Sequence, residues 1–462
     1  MNDSDRKSPA ISRAGSRLGK SPGERVLSLL HKGHLKNAQA LYDAELSDGD
    51  DKTDTLILKA LLTLERGEPK EALRILKKRL GFTNPDADLL TAHGRTLLAL
   101  GDQRRAEALF HRAVERDPHS CGSHYGLGCI YEAKGELSQA LHHYREEFYR
   151  HTDLLANTLA LVSVQRRILA EEHGIETRTF SELVNSHHQV ALSEQRRQIE
   201  RLLGNRAAGQ FKSSPTPFMS LACDKCGTHL MADVLQGISG LRSNWQYHDP
   251  NEPMALRAPA AAPKGSFIAG NWFPNSALLE GMQERNEKAV LLYRDPRDQI
   301  VSGYFYCKKP HALIEDSGFA RRIAAMDKEQ AIDYLMSSWP HTMLVWLVLW
   351  MTFERPLYVC HFERMISEKP SVIGEVAEFL GYPCDEALKH RVAADTAFEK
   401  PSASLKIESL HGDFKRKGKA GDWRYHFTEG NVRRFKEIAG DILIALGYEQ
   451  DLAWEADQKP HG

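Results

Sequence analysis

The stretch Cys223-Asp-Lys-Cys-Gly-Thr-His-Leu230 brings together residue types that can grip an anion. It follows an apolar run, Phe218–Ala222, and leads into Met231–Gln236, where apolar residues fall at helical spacing. A strand, a glycine turn and a helix start, in that order, build an anion site. The first turn of a helix has unpaired N–H groups, and its dipole adds positive potential. Gly227 lets the backbone approach without a Cβ in the way. Lys225 supplies a mobile charge and Thr228 a hydroxyl donor. The spacing G-x-x-x-x-G-K-S/T of nucleotide-triphosphatase loops is absent. Cys223 and Cys226 form a Cys-x-x-Cys around the lysine. Zinc would need a second ligand pair, and the chain has no other Cys-x-x-Cys. The pair reads as loop packing, or as a redox switch whose disulfide would lock the loop.

Two later stretches can serve the same anion. Tyr293-Arg-Asp-Pro-Arg-Asp298 leaves a strand-like run and enters a helix. Arg294 at a strand end can bind phosphate in bidentate fashion, and Ser302, eight residues on, can face the same anion as a neutral donor. Phe414 to Thr428 holds Lys415, Arg416, Lys417 and Lys419, four cations clustered near Gly418 and Gly421, and Arg424 further on. It reads as a basic flap closed by Gly421-Asp-Trp423.

The elements that must position these residues alternate in type. Strands are expected at 218–223, 267–269, 289–293 and 357–361, and helices at 229–237, 298–307, 329–353, 372–380 and 430–446. That alternation points to a parallel sheet with helices on its faces, whose ligands bind at the carboxyl ends of the strands. Ser213–Pro217 is a linker by composition.

The first third has a different organisation. Gly33, Gly67, Gly101 and Gly135 lie 34 residues apart, as do Ala38, Ala72, Ala106 and Ala140, and so do Tyr42, Leu76, Phe110 and Tyr144. Each copy holds two amphipathic segments joined at the glycine, and Pro118 closes the third. This pattern resembles the tetratricopeptide repeat and covers residues 19–152 in four copies. Such arrays present a concave surface for a peptide or protein partner, or for self-association into a homo-oligomer, or serve as plain support. Residues 153–210 read as a helical bridge, 1–18 as a disordered tail and 451–462 as a C-terminal tail.

Totals bound the rest. With 462 residues, 61 Lys plus Arg against 62 Asp plus Glu and a net charge of −1, no basic excess points to nucleic acid. The longest uncharged apolar run, Met343–Met351, is too short to span a bilayer and reads as a buried helix. The polar start has no apolar signal region, and seven cysteines without a dense framework fit a reducing, cytoplasmic setting.

The second half, residues 211–450, resembles the sulfotransferases that use 3′-phosphoadenosine 5′-phosphosulfate (PAPS), in their cytosolic branch. Lys225-Cys-Gly-Thr228 after a strand is similar to that family's phosphosulfate loop. Arg294 and Ser302 match its 3′-phosphate motif in identity and separation. Arg416-Lys417-Gly418 with Gly421-Asp-Trp423 resembles its C-terminal signature, and Thr396-Ala-Phe398 its adenine contact. The expected fold is an all-α tetratricopeptide solenoid followed by an α/β sulfotransferase-like P-loop domain with a central parallel sheet. The resemblance implies PAPS as co-substrate, no metal, and a hydroxyl or amine acceptor of unknown identity. Lys225 would neutralise charge on the bridging oxygen. Lys225, Cys226, Gly227, Thr228, His229 and Leu230 would line the 5′ side; Arg294, Ser302, Arg416, Lys417 and Gly418 would hold the 3′-phosphate; Thr396 and Phe398 would bound the adenine.

One departure bears on mechanism. The family's basic histidine is replaced by Asn271 or Trp272, neither of which takes a proton near neutral pH. Another group serves as base, with His229 and His248 as candidates, or the acceptor is already acidic, or the domain binds PAPS without transfer, as an inactive repeat adaptor. Trp245, Tyr247, Trp272, Phe305 and Tyr306 are candidates for the acceptor wall.

Overall fold

The computed structural model describes residues 21–46, 52–80, 85–203, 215–246, 259–308, 318–352, 357–404 and 417–455. Tyr247, His248 and Arg416 lie outside them, as do the tail 1–18 and residues 456–462 of the C-terminal tail. The chain divides into two compact units, 1–126 and 127–462.

The first unit is helical. Helices α1 (Pro22–His31) and α2 (Leu35–Glu45), α3 (Thr53–Glu65) and α4 (Pro69–Leu80), and α5 (Ala87–Ala99) and α6 (Gln103–Arg116) pack as successive pairs. Gly33, Gly67 and Gly101 join the members of each pair, all with φ between 76° and 85°, a conformation glycine adopts without cost. The aligned alanines Ala38, Ala72 and Ala106 are fully buried. A Cβ on Gly94 would stand 2.7 Å from the Phe110 ring, so the small column and the bulky column fit one another.

The unit boundary falls within α7 (Ser123–Ala133). Helices α8 (Leu137–Arg150) and α9 (Leu155–His173) follow and pack together. Tyr144 of α8 lies against Gly128, where a Cβ would come within 2.4 Å of its ring. Helix α10 (Phe180–Leu203) lies along the sheet edge. There Asn185 Nδ2 donates to Val359 O (3.1 Å) and Asn185 Oδ1 accepts from Val359 N (3.0 Å), pairing backbone groups of an edge strand.

The sheet has five parallel strands in the order β2-β3-β1-β4-β5. They are β1 (Phe218–Ala222), β2 (Arg242–Trp245), β3 (Ser266–Gly270), β4 (Lys288–Tyr293) and β5 (Leu357–His361). β1, β3, β4 and β5 are near-continuous apolar runs because helices cover both faces. The strand β2 was not expected: its four residues, Arg-Ser-Asn-Trp, show no apolar run, since it pairs only with β3.

The covering helices are α11 (Thr228–Ser239), α12 (Ser276–Glu284), α13 (Pro296–Lys308), α14 (Gly318–Ala325), α15 (Lys328–Met336), α16 (Trp339–Met351), α17 (Phe362–Ser367), α18 (Lys369–Leu380), α19 (Glu386–Asp395) and α20 (Glu429–Leu446). The single helix expected over 329–353 is two, because Pro340 opens a new first turn after Ser337-Ser338. The apolar run of α16 is buried, Trp346 and Trp350 almost completely. Among the described residues no helix is long and apolar enough to cross a membrane.

Strand order changes direction about β1. The chain runs from β1 by way of α11 to β2 and β3 on one flank, then crosses to β4 on the other. A crevice at the carboxyl ends of β1 and β4 is where open α/β sheets bind ligands.

Candidate functional site

The loop after β1 is tight. Cys226 N donates to Cys223 O (3.2 Å), and Lys225 and Gly227 both have left-handed backbones, φ 62° and 97°. A Cβ on Gly227 would lie 2.8 Å from the Phe362 ring, so conformation and space both require glycine. Lys225 has no such excuse, and a strained non-glycine residue of this kind concentrates at functional sites. Helix α13 braces the loop: Gln299 Nε2 donates to Asp224 O (2.8 Å). Cys223 and Cys226 are free and buried, and burial raises both thiols well above their ordinary range, leaving little thiolate for redox chemistry.

The Lys225 ammonium sits 3.8 Å from the centroid of the Tyr306 ring. Burial pulls its pKa down to about 8; Arg294 pushes the same way, while Asp224 and Cys307 oppose. The Lys225–Arg294 coupling reflects topology, because β1 and β4 are hydrogen-bonded neighbours with Ala222 opposite Leu292.

Arg294 leaves β4 only 7% exposed. Its guanidinium lies over the Phe362 ring (4.4 Å), donates from Nη2 to Lys419 O (2.9 Å) and stands 3.5 Å from Asp298 Oδ2. Its Nε is buried with no partner, an orphan donor that an anion would satisfy. One turn along α13, Asp298 accepts from Gly421 N (2.7 Å) and Trp423 N (2.9 Å). Burial raises the Asp298 carboxyl to about 6, with Arg294 pulling it back. This carboxylate ties the basic C-terminal segment to the end of β4. Arg297 secures the same corner, held between the Trp423 and Trp454 rings (4.1 and 4.7 Å) and paired with Asp295 (2.7 Å).

Ser302 is half-buried on α13, one turn beyond Asp298. Lys417 Nζ donates to Asp422 Oδ1 (2.9 Å). Gly418, φ 62°, lies under the Phe398 ring, where a Cβ would collide at 2.2 Å. Phe398 is 40% exposed, an aromatic surface beside the basic segment. Thr396 differs from expectation in one respect: its hydroxyl donates to Val392 O (2.8 Å) in the last turn of α19, so it meets a ligand less directly than a free hydroxyl would.

On the other flank of β1, Asn271 follows β3 and is exposed, and its Nδ2 donates to Asp224 Oδ1. Trp272 is buried, with its carbonyl accepting from Trp346 Nε1 (2.7 Å), and forms wall rather than mouth. Thr228, His229 and Leu230 occupy the first turn of α11, all half-buried. His229 Nδ1 is 3.3 Å from Ser404 Oγ, and its ring lies 4.4 Å from that of Trp245, whose Nε1 donates to Ser404 O (2.9 Å). Phe305 packs on the His426 ring (5.0 Å).

Sequence reasoning passed over Asp224, Asp298, Gln299 and Ser404. A helical offset of four from Arg294 signalled Asp298, and Asp224 was visible as an acidic neighbour of the lysine. Nothing local signalled Ser404.

This geometry meets the comparisons with known proteins. Residues 260–447 match the family model described as a sulfotransferase domain, a match that begins after the Lys225 loop. Mouse sulfotransferase 2B1 is 26% identical over 208 residues, 42% of this chain and 59% of the relative. Human sulfotransferase 1C2 is 25% identical, covering 41% and 65%, and the flavonol 3-sulfotransferase of Flaveria bidentis is 25% identical, covering 38% and 61%. The chain thus spans about three fifths of the length of these curated relatives. Among solved structures, a mouse sulfotransferase complexed with PAP aligns with a TM-score of 0.37 and 18% identity, covering 50% of this chain and 85% of that one. Through residues 260–447 the second half is similar to the sulfotransferase domain family.

Proposed function

We propose that the second half transfers a sulfuryl group from PAPS to a hydroxyl or amine acceptor. The observation that carries this reading is the placement of Lys225 and Arg294 at the carboxyl ends of adjacent strands, close enough for each charge to feel the other. The fit of a doubly phosphorylated adenosine rests on three features: the orphan Nε of Arg294, the Cβ-free backbone at Gly227, and that at Gly418 beneath Phe398. When bound, PAPS supplies the activated sulfuryl group. Lys225 holds positive charge where the bridging oxygen gains negative charge, the main demand of a loose, in-line transfer. N–H groups of the α11 first turn and the Thr228 hydroxyl grip the 5′ side. Arg294, Ser302, Lys417 and Gly418, with Arg416, form the 3′-phosphate clasp, and Thr396 and Phe398 bound the base. No metal is needed in this scheme.

The second reading, an adaptor that binds nucleotide without turnover, is favoured by Asn271 standing where the family has histidine. We further take the first third as a tetratricopeptide solenoid that binds a peptide partner or a second copy. The buried alanine column and the left-handed glycines support it. Seven cysteines without a dense framework support a cytoplasmic setting.

Calorimetric titration with PAP, beside PAP release from PAPS with a panel of acceptors, separates the readings. A transferase binds PAP and turns PAPS over, and Lys225→Met loses turnover by at least about 100-fold. Binding without turnover leaves the adaptor; absence of PAP binding removes both.

A further inference from the structure

We propose that Asp224 is the general base of this transfer and that Asn271 positions its carboxylate, an inference that rests on the sulfuryl-transfer reading above. The other carboxylates and the imidazole around the Lys225 loop are buried or half-buried. Asp298 accepts from Gly421 and Trp423 and faces Arg294. Glu363 accepts from Asp295 N (3.1 Å) and Tyr448 Oη (2.9 Å). Asp295 pairs with Arg297 (2.7 Å), and Asp233 accepts from Ser404 N (2.6 Å). His229 faces Ser404 and Trp245. Asp224 differs in exposure: it is open to solvent, and Asn271 Nδ2, from the end of the neighbouring strand, donates to its Oδ1.

Strand order adds a direction. With β3-β1-β4 in sequence across the sheet, Arg294 stands on one flank of Lys225 and the Asp224–Asn271 pair on the other. In-line transfer needs leaving group and acceptor on opposite sides of the moving sulfur. A nucleotide held from the Arg294 flank therefore presents its sulfuryl group toward Asp224. An ionised carboxylate accepts a proton, which the Asn271 amide cannot. As the bond from acceptor oxygen to sulfur forms, the acceptor proton passes to Asp224. The bond from sulfur to the 5′-phosphate oxygen breaks, and that oxygen keeps the electron pair beside Lys225. The loop carbonyl of Asp224, fixed by Gln299, sets the base one residue from the lysine.

The test uses full-length protein, PAP as the binding probe, and PAPS with phenol, or with water as the default acceptor. Asp224→Asn is near-isosteric, and thermal melting checks its fold. Expected are PAP affinity within about threefold of wild type, turnover down about 100-fold or more, and loss of the acid limb of the pH–rate profile. Asn271→Ala removes a donor to the charged carboxylate, so its acid limb moves to higher pH while PAP affinity holds. Near Asp224 stand Lys225 and the neutral thiols Cys223 and Cys226 on its own loop and the Gln299 amide from α13, none of which loses a proton on the acid side of neutral. Asp224→Asn with wild-type turnover and an intact acid limb overturns the proposal. So does joint loss of PAP affinity and turnover, which marks a binding role. Wild type that binds PAP yet releases none from PAPS with either acceptor also overturns it. Wild type that does not bind PAP brings down the nucleotide reading itself, and the base with it.

Discussion

Raising the pH from about 7 to about 9 neutralises the lysine proposed to face the anion. With a pKa of about 8, the Lys225 ammonium is about nine-tenths charged at the lower pH and about one-tenth charged at the higher. A phosphate that binds only the charged form, and holds it charged, therefore loses about tenfold in affinity, or about 1.4 kcal/mol. Binding must also take up a proton: about 0.1 per site at pH 7 and about 0.9 at pH 9. Calorimetric titration of PAP in two buffers of different ionisation enthalpy reads both quantities. Few other groups confuse the window. Asp298 titrates below it, at about 6, and burial raises the Cys223 and Cys226 thiols. Lys225→Arg keeps its charge and should show a flat profile; Lys225→Met should be flat and weaker throughout. Equal PAP affinity at the two pH values, with no proton uptake, would refute the idea that a buried ammonium meets the ligand.

Two further outcomes follow from packing. Asp298→Ala leaves Arg294 unpaired and two buried N–H groups without an acceptor, so stability to urea should fall by about 3–5 kcal/mol and PAP affinity with it. Burial holds the Asp298 carboxyl above the ordinary carboxylate value of about 3.9, so its contribution is complete below about pH 4 and is lost as pH rises through about 6. Measured against Asp298→Asn, wild type should gain stability as pH drops across that interval; an unchanged difference would be the contrary result. Gly128→Ala forces a Cβ to 2.4 Å from the Tyr144 ring, so the urea midpoint should fall by the equivalent of about 1–3 kcal/mol while PAP affinity stays unchanged; an unmoved midpoint would show that the ring yields freely.

Much of the second half was legible because its strands are sandwiched between helix layers. β1, β4 and β5 read as unbroken apolar runs, and the residues just past their ends, Lys225 and Arg294, could be singled out by type. The short edge strand β2 left no such trace. The break between α15 and α16 was signalled by Pro340 yet masked by the apolar run that follows. Spatial neighbours were harder. Tyr306 was legible only as a candidate for the acceptor wall, and its contact with Lys225 was not; no spacing rule brings the last turns of α13 to the loop after β1. Asp298 looked like one charge in an Arg-Asp turn, because its partners Gly421 and Trp423 lie 123 and 125 residues away. In the first third, the left-handed turns at Gly33, Gly67 and Gly101 were readable because each recurs at the same step.

The tie from Asp298 to Gly421 and Trp423 has a consequence for biosynthesis. The five strands can associate once β5 has left the ribosome, but the clasp has no second jaw until the segment past Gly418 is made. On the reading proposed above, a nascent chain with a complete sheet would hold nucleotide with one jaw only. A chain stopped short of Trp423 would lack both the second jaw and α20, which packs on α15 and α16.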